Sequence, residues 1–106
     1  MTKESEIRKR AVRILERQKW LIWWPSRAIF KQNDIFGIFD LICFKKKAGS
    51  LKFVQLTTLP NLSTRRRKIK NFLKEHQLSR QNSADIEIWG WNKRKREFKI
   101  ESIQGA

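Results

Sequence analysis

The residues best suited to chemistry lie in Asp34-Ile-Phe-Gly-Ile-Phe-Asp40-Leu-Ile-Cys-Phe44 and in Phe53-Val-Gln55-Leu-Thr57-Thr58. Two acidic residues punctuate an apolar stretch, and an amide and a hydroxyl interrupt the next. A carboxylate among apolar side chains is costly unless it is paired, hydrogen-bonded or bound to a metal. Asp40, deep in the run, is the better ligand candidate, whereas Asp34 at its start reads as a turn cap. The two would share a strand face but stand about 20 Å apart along a regular strand. One ion could reach both only if Gly37 bulged the chain sharply. Across a hairpin, Gln55 and Thr57 share a face with Phe53. A carboxylate, an amide oxygen and a backbone carbonyl make an ordinary ligand set for Mg²⁺. Such an ion can activate water and polarise a phosphodiester. The competing reading is that Gln55 and Thr57 hydrogen-bond across the sheet.

The elements that must position these residues follow from periodicity. About Lys3 to Lys19 reads as a helix, with Ile7, Ala11, Ile14, Leu15 and Gln18 at three- and four-residue spacing. Trp20 to Trp24 is β-prone and stopped by Pro25, Arg27 to Lys31 a short extended return, and Gln32-Asn33 a turn. Ile35 to Lys45 reads as the central strand, apolar on both faces, and Leu51 to Thr58 as its antiparallel partner. Pro60-Asn61-Leu-Ser63 opens a second helix running to about Gln77, with Leu62, Ile69, Phe72 and Leu73 as its apolar stripe. Ser79 to Ser83 is a polar loop, Asp85 to Trp91 alternates like a strand, and Glu97 to Ile103 pairs with it. Trp20, Trp23, Trp24, Trp89 and Trp91 could stack bases, but most read as core or sheet-face packing. Trp89 and Trp91 share a face with Glu87, opposite Ile86 and Ile88, and one side of this strand is expected to be exposed or a dimer surface. The expected order is α-β-β-β-α-β-β.

At 106 residues the chain is one small domain, spanning 1–106. Forty per cent apolar residues, with five Trp and seven Phe, suit a folded globule. Twenty-five Lys and Arg against 10 Asp and Glu leave a formal charge of +15, which favours a polyanionic partner, most often nucleic acid. Three basic clusters would form its surface: Lys45, Lys46 and Lys47; Arg65, Arg66, Arg67 and Lys68; and Lys93 to Arg96. The longest apolar run is too short to span a membrane. A lone Cys43 suits a reducing, cytoplasmic setting. One Cys and one His exclude a zinc site, and no Gly-rich phosphate loop or nucleophile elbow exists.

The arrangement resembles the PD-(D/E)XK nuclease superfamily, the restriction-endonuclease-like fold. In size it is similar to archaeal Holliday-junction resolvases and small phage-type nucleases. Phe39-Asp40-Leu-Ile corresponds to the family's Pro-Asp motif, and Val54-Gln55-Leu-Thr57 falls where the family has acid-x-Lys. Gln for the acid is a known variation; Thr57 for the lysine is the serious departure. The resemblance implies an α/β sandwich whose mixed central sheet is flanked by helices, and a Mg²⁺- or Mn²⁺-dependent DNA endonuclease acting as a homodimer. It implies metal ligands at Asp40, Gln55 and the carbonyl of Leu56, with Thr57 at the vacant lysine position. It also implies a first-helix glutamate, best matched by Glu6 with Glu4 and Glu16 as rivals. Arg27, Lys31 or Lys68 could supply the missing cation. The alternative is a catalytically decayed protein of this fold that binds nucleic acid without cleaving it.

Overall fold

The structure is a computed structural model that describes residues 4–24, 38–45, 49–76 and 84–103, and the side chains of these except residues 4 and 84. It is an α+β fold: α1 (Glu4–Arg17), β1 (Leu21–Trp23), β2 (Leu41–Lys45), β3 (Ser50–Thr58), a 3₁₀ turn (Leu59–Asn61), α2 (Leu62–Glu75), β4 (Ala84–Asn92) and β5 (Glu97–Ser102). This is the order expected from periodicity. The five strands form one mixed sheet in chain order. All neighbours are antiparallel except β3 and β4, which run parallel and are joined through α2.

Alternation along the strands divides the core in two. On one face Ile7, Ala11 and Leu15 of α1 bury against Leu41, Cys43, Val54, Leu56, Trp89 and Trp91. On the other, Leu62, Ile69 and Leu73 of α2 bury with Phe39 and Ile88, and Phe53 packs against them. Each helix thus presents the three- and four-residue stripe visible in its sequence. Close packing at the crossover is concentrated at Gly90, where a Cβ would stand 3.0 Å from Leu62 Cδ1.

Three expectations need correction. Regular pairing of β2 begins at Leu41 rather than Ile35 among the described residues, and β2 lies second from the edge, leaving β3 central. The break has a local cause. Leu41 is the register partner of Val54, yet Asp40 also donates its N–H to the Val54 carbonyl at 2.8 Å. Two residues therefore oppose one at Asp40, the signature of a bulge. Finally, the Trp89 and Trp91 face is neither exposed nor open to a partner: these residues are 1% and 6% exposed, covered by α1 and by Phe98.

The expected Arg27–Lys31 segment, the Gln32-Asn33 turn, Asp34, Gly37, Lys46, Lys47 and the 79–83 loop lie outside the described residues. No helix among the described residues is long and apolar enough to cross a membrane.

Candidate functional site

The bulge determines what Asp40 can do. Freed from regular strand geometry, its carboxylate turns toward β3, and Oδ2 accepts the backbone N–H of Leu56 at 2.7 Å. A side-chain oxygen here takes the ladder position that a longer β2 would fill with a backbone carbonyl. Gln55 then reaches across. Its Nε2 donates to Asp40 Oδ2 at 3.2 Å and to its neighbour's carbonyl, Leu56 O, at 3.1 Å. Gln55 is 5% exposed and Asp40 half-buried, so both oxygens lie in partly dry surroundings.

This places Asp40, Gln55 and the Leu56 carbonyl around one point, as the sequence reading grouped them. The amide orientation follows from satisfaction of hydrogen bonds. With Nε2 between two acceptors, Gln55 Oε1 is buried with no hydrogen-bond partner. Turning the amide over would set three oxygens facing one another, which is favourable only with a cation among them. The donor set is one carboxylate and two neutral oxygens, which suits a hard divalent cation that keeps several waters. Among the described residues no three His, Cys, Asp or Glu side chains gather in one place. Thr57, two residues beyond Gln55 on the same strand face, is 8% exposed.

Glu6 is on exposed α1 surface and pairs with Arg10 at 3.2 Å. Arg10 in turn lies over the Trp91 ring, 4.9 Å from its centroid, on the α1 side of the sheet. Glu16 is also exposed.

The basic residues of α2 fall into two kinds. Arg67 and Lys68 are exposed and Arg65 is half-buried. Arg66 forms a two-pronged pair with Glu101 of β5, at 2.7 and 2.8 Å. The Arg66 side chain holds the Glu101 carboxyl below its ordinary value, chiefly by hydrogen bonding, with partial burial opposing and the charges of Arg66, Lys99 and Lys70 adding to it. Arg66 thus ties α2 to the edge hairpin. It borders an open cleft between the start of α2 and the β4–β5 turn, where Lys95 and Lys99 also stand. Lys45 lies with its Nζ 4.9 Å from the Trp20 ring centroid.

A second polar group was not foreseen. Lys52 is 8% exposed and its ammonium sits 3.3 Å from Glu87 Oε1 and 4.4 Å from the centre of the Trp20 ring. Glu87 Oε1 also accepts Trp89 Nε1–H at 2.9 Å. Nothing in the spacing marked Lys52, because one lysine in an alternating strand reads as solvent-facing. The pair lies beside Cys43, whose thiol is pushed up to about 11, mainly by burial, with Lys52 lowering and Glu87 raising it by less. At neutral pH this thiol is uncharged and unreactive.

Compared with known proteins, the chain matches no family model, no curated protein and no solved structure.

Proposed function

We propose that the chain is a metal-dependent nuclease domain of the restriction-endonuclease-like type, hydrolysing phosphodiester bonds in DNA inside the cell. The observation that carries this is the cluster of Asp40 Oδ2, the Leu56 carbonyl and the Gln55 amide, with its unpartnered buried Oε1. The finer fold assignment draws support from the parallel β3–β4 pair joined through α2, with the site at the β2–β3 meander. Asp40, Gln55 and the Leu56 carbonyl would hold Mg²⁺ or Mn²⁺. Bound there, the ion supplies an activated water and a polarised phosphodiester. Asp40 provides the charge, and the rigid β3 backbone fixes the carbonyl. The surplus of cations, Arg65, Arg67 and Lys68 among them, brings the phosphate chain to the sheet.

Thr57 favours a second reading, the same fold binding nucleic acid without cutting it, because a hydroxyl offers no positive charge to the developing phosphorane. Cleavage of duplex, branched and single-stranded DNA in Mg²⁺, Mn²⁺ or EDTA separates the two. The nuclease reading expects metal-dependent cutting by the wild type and none by Asp40→Asn. Cutting that persists undiminished in the variant removes Asp40 from the chemistry. Tight binding with no cutting under either metal selects the second reading.

A further inference from the structure

One apolar area on the sheet has neither of the described helices over it. Leu21 and Trp23 of β1 pair with Phe44 and Ile42 of β2, so the four side chains share a face. Ile22 and Cys43, the alternating partners, turn toward α1. The face of Trp23 is therefore the α2 side, but α2 lies over β3 and β4. Leu21 is 62% exposed, Trp23 58% and Phe44 41%. An indole left this open in a domain short of core area is unlike the buried Trp89 and Trp91.

The position relative to the candidate site is specific. Ile42, the partner of Trp23, is two residues from Asp40, roughly 7 Å along the chain. Trp23 is thus paired on the sheet two residues along β2 from the bulge that carries Asp40.

We infer that Trp23, with Phe44 beside it, is a stacking platform for an unpaired base, so that the substrate of this site is a nucleic-acid strand with unstacked bases, single or splayed at a branch. This rests on the nuclease reading for the site but not for the binding. Charge decides the occupant. A formal +15 opposes close approach of a second copy through this face and favours a polyanion. Single strands are held with bases on exposed aromatic rings and phosphates on Lys and Arg, and this chain carries 25 of these cations. In a continuous duplex the base faces are already stacked and cannot use Trp23.

The test is fluorescence anisotropy in EDTA with a short labelled oligothymidylate, an abasic oligomer of the same length and charge, and a duplex. The wild type should bind oligothymidylate about tenfold or more tighter than the abasic strand. Trp23→Ala should erase that ratio, and Trp23→Phe should keep part of it. Circular dichroism checks that both variants are folded, as expected for a side chain more than half exposed. Equal binding of both strands by the wild type, or a ratio untouched in Trp23→Ala, overturns the inference. So does a wild-type dimer in sedimentation that Trp23→Ala splits, since the face would then be self-association. Because no metal is present, the ratio stands or falls independently of cleavage. A chain that keeps the ratio but never cuts refutes the nuclease reading alone.

Discussion

The carboxylate of Asp40 stands in for a missing strand residue beside Leu56, accepting its N–H at 2.7 Å. The same oxygen proposed to hold a metal is thus also a structural acceptor, and the two roles can be separated by substitution.

Asp40→Ala strands the Leu56 N–H, costing about 1–3 kcal/mol for an unsatisfied buried donor. Asp40→Asn retains an oxygen at the same reach and should lose much less. Urea unfolding reads both. Equal stability of the two variants would show that water replaces the carboxylate and that the contact is not structural.

Gln55→Glu restores the acid that the resemblance calls for. Two carboxylates would then face the Leu56 carbonyl, so the variant should melt below wild type in EDTA. Mg²⁺ at a hundred times its Kd should return about 2.7 kcal/mol, and wild type should gain less. A melting temperature insensitive to Mg²⁺ in Gln55→Glu would sink the metal site.

Salt dependence tests the basic face of α2. Each phosphate contact removed lowers the slope of log Kobs against log salt by about 0.9 for duplex DNA. Arg65→Ala and Arg67→Ala should each move the slope by that order, whereas Arg66→Ala should move it less, because that guanidinium is engaged with Glu101. The largest change coming from Arg66 instead would mean that the ion pair opens on binding.

The same pair has a pH signature. The Glu101 carboxyl is lowered in the folded chain, so its contribution is complete above the ordinary carboxylate range. It is lost as pH falls through the lowered value. Glu101→Gln should flatten the acid side of a plot of melting temperature against pH while leaving alkaline stability parallel to wild type. An unchanged acid limb would show that the exposed pair is screened to insignificance.

Lys52 and Glu87 are more enclosed, at 10% and 17% side-chain exposure. Lys52→Met leaves Glu87 charged in an apolar layer, and breaking such a pair costs up to about 3–5 kcal/mol when burial is complete. Adding Glu87→Gln should recover a large part, since the amide oxygen still accepts from Trp89 Nε1. Chemical denaturation of both variants checks this; a double variant no better than the single would place the loss in Lys52 packing over Trp20.

Much of the fold was legible because its signals are local. The stripe of Ile7, Ala11 and Leu15, the alternation of Asp85 to Trp91 and the break at Pro60 each announce an element by period or by a stop. What remained hidden is non-local. No spacing rule shows that Asp40 and Leu41 would both oppose Val54, because a bulge depends on the partner strand. Likewise Lys52 reads as exposed until α1 and Trp20 are laid over it, and Arg66 as a free cation until β5 returns beside α2. The grouping of Asp40 with Gln55 was legible, because a polar side chain in each of two paired apolar strands has few places to go. Which of the five Trp would be buried was not, because it is α1, from the other end of the chain, that covers Trp89 and Trp91.

The parallel junction has a kinetic consequence. Every β3–β4 register pair, from Leu51 with Ala84 to Thr58 with Trp91, joins residues 33 positions apart, whereas the β2–β3 and β4–β5 hairpins close over short turns. The two hairpins can therefore zip early, and the chain must wait for the α2 crossover to dock before the sheet becomes one. Until then β3 is an unprotected edge carrying Val54 and Leu56, so the slow event in folding is also the moment of greatest exposure to aggregation.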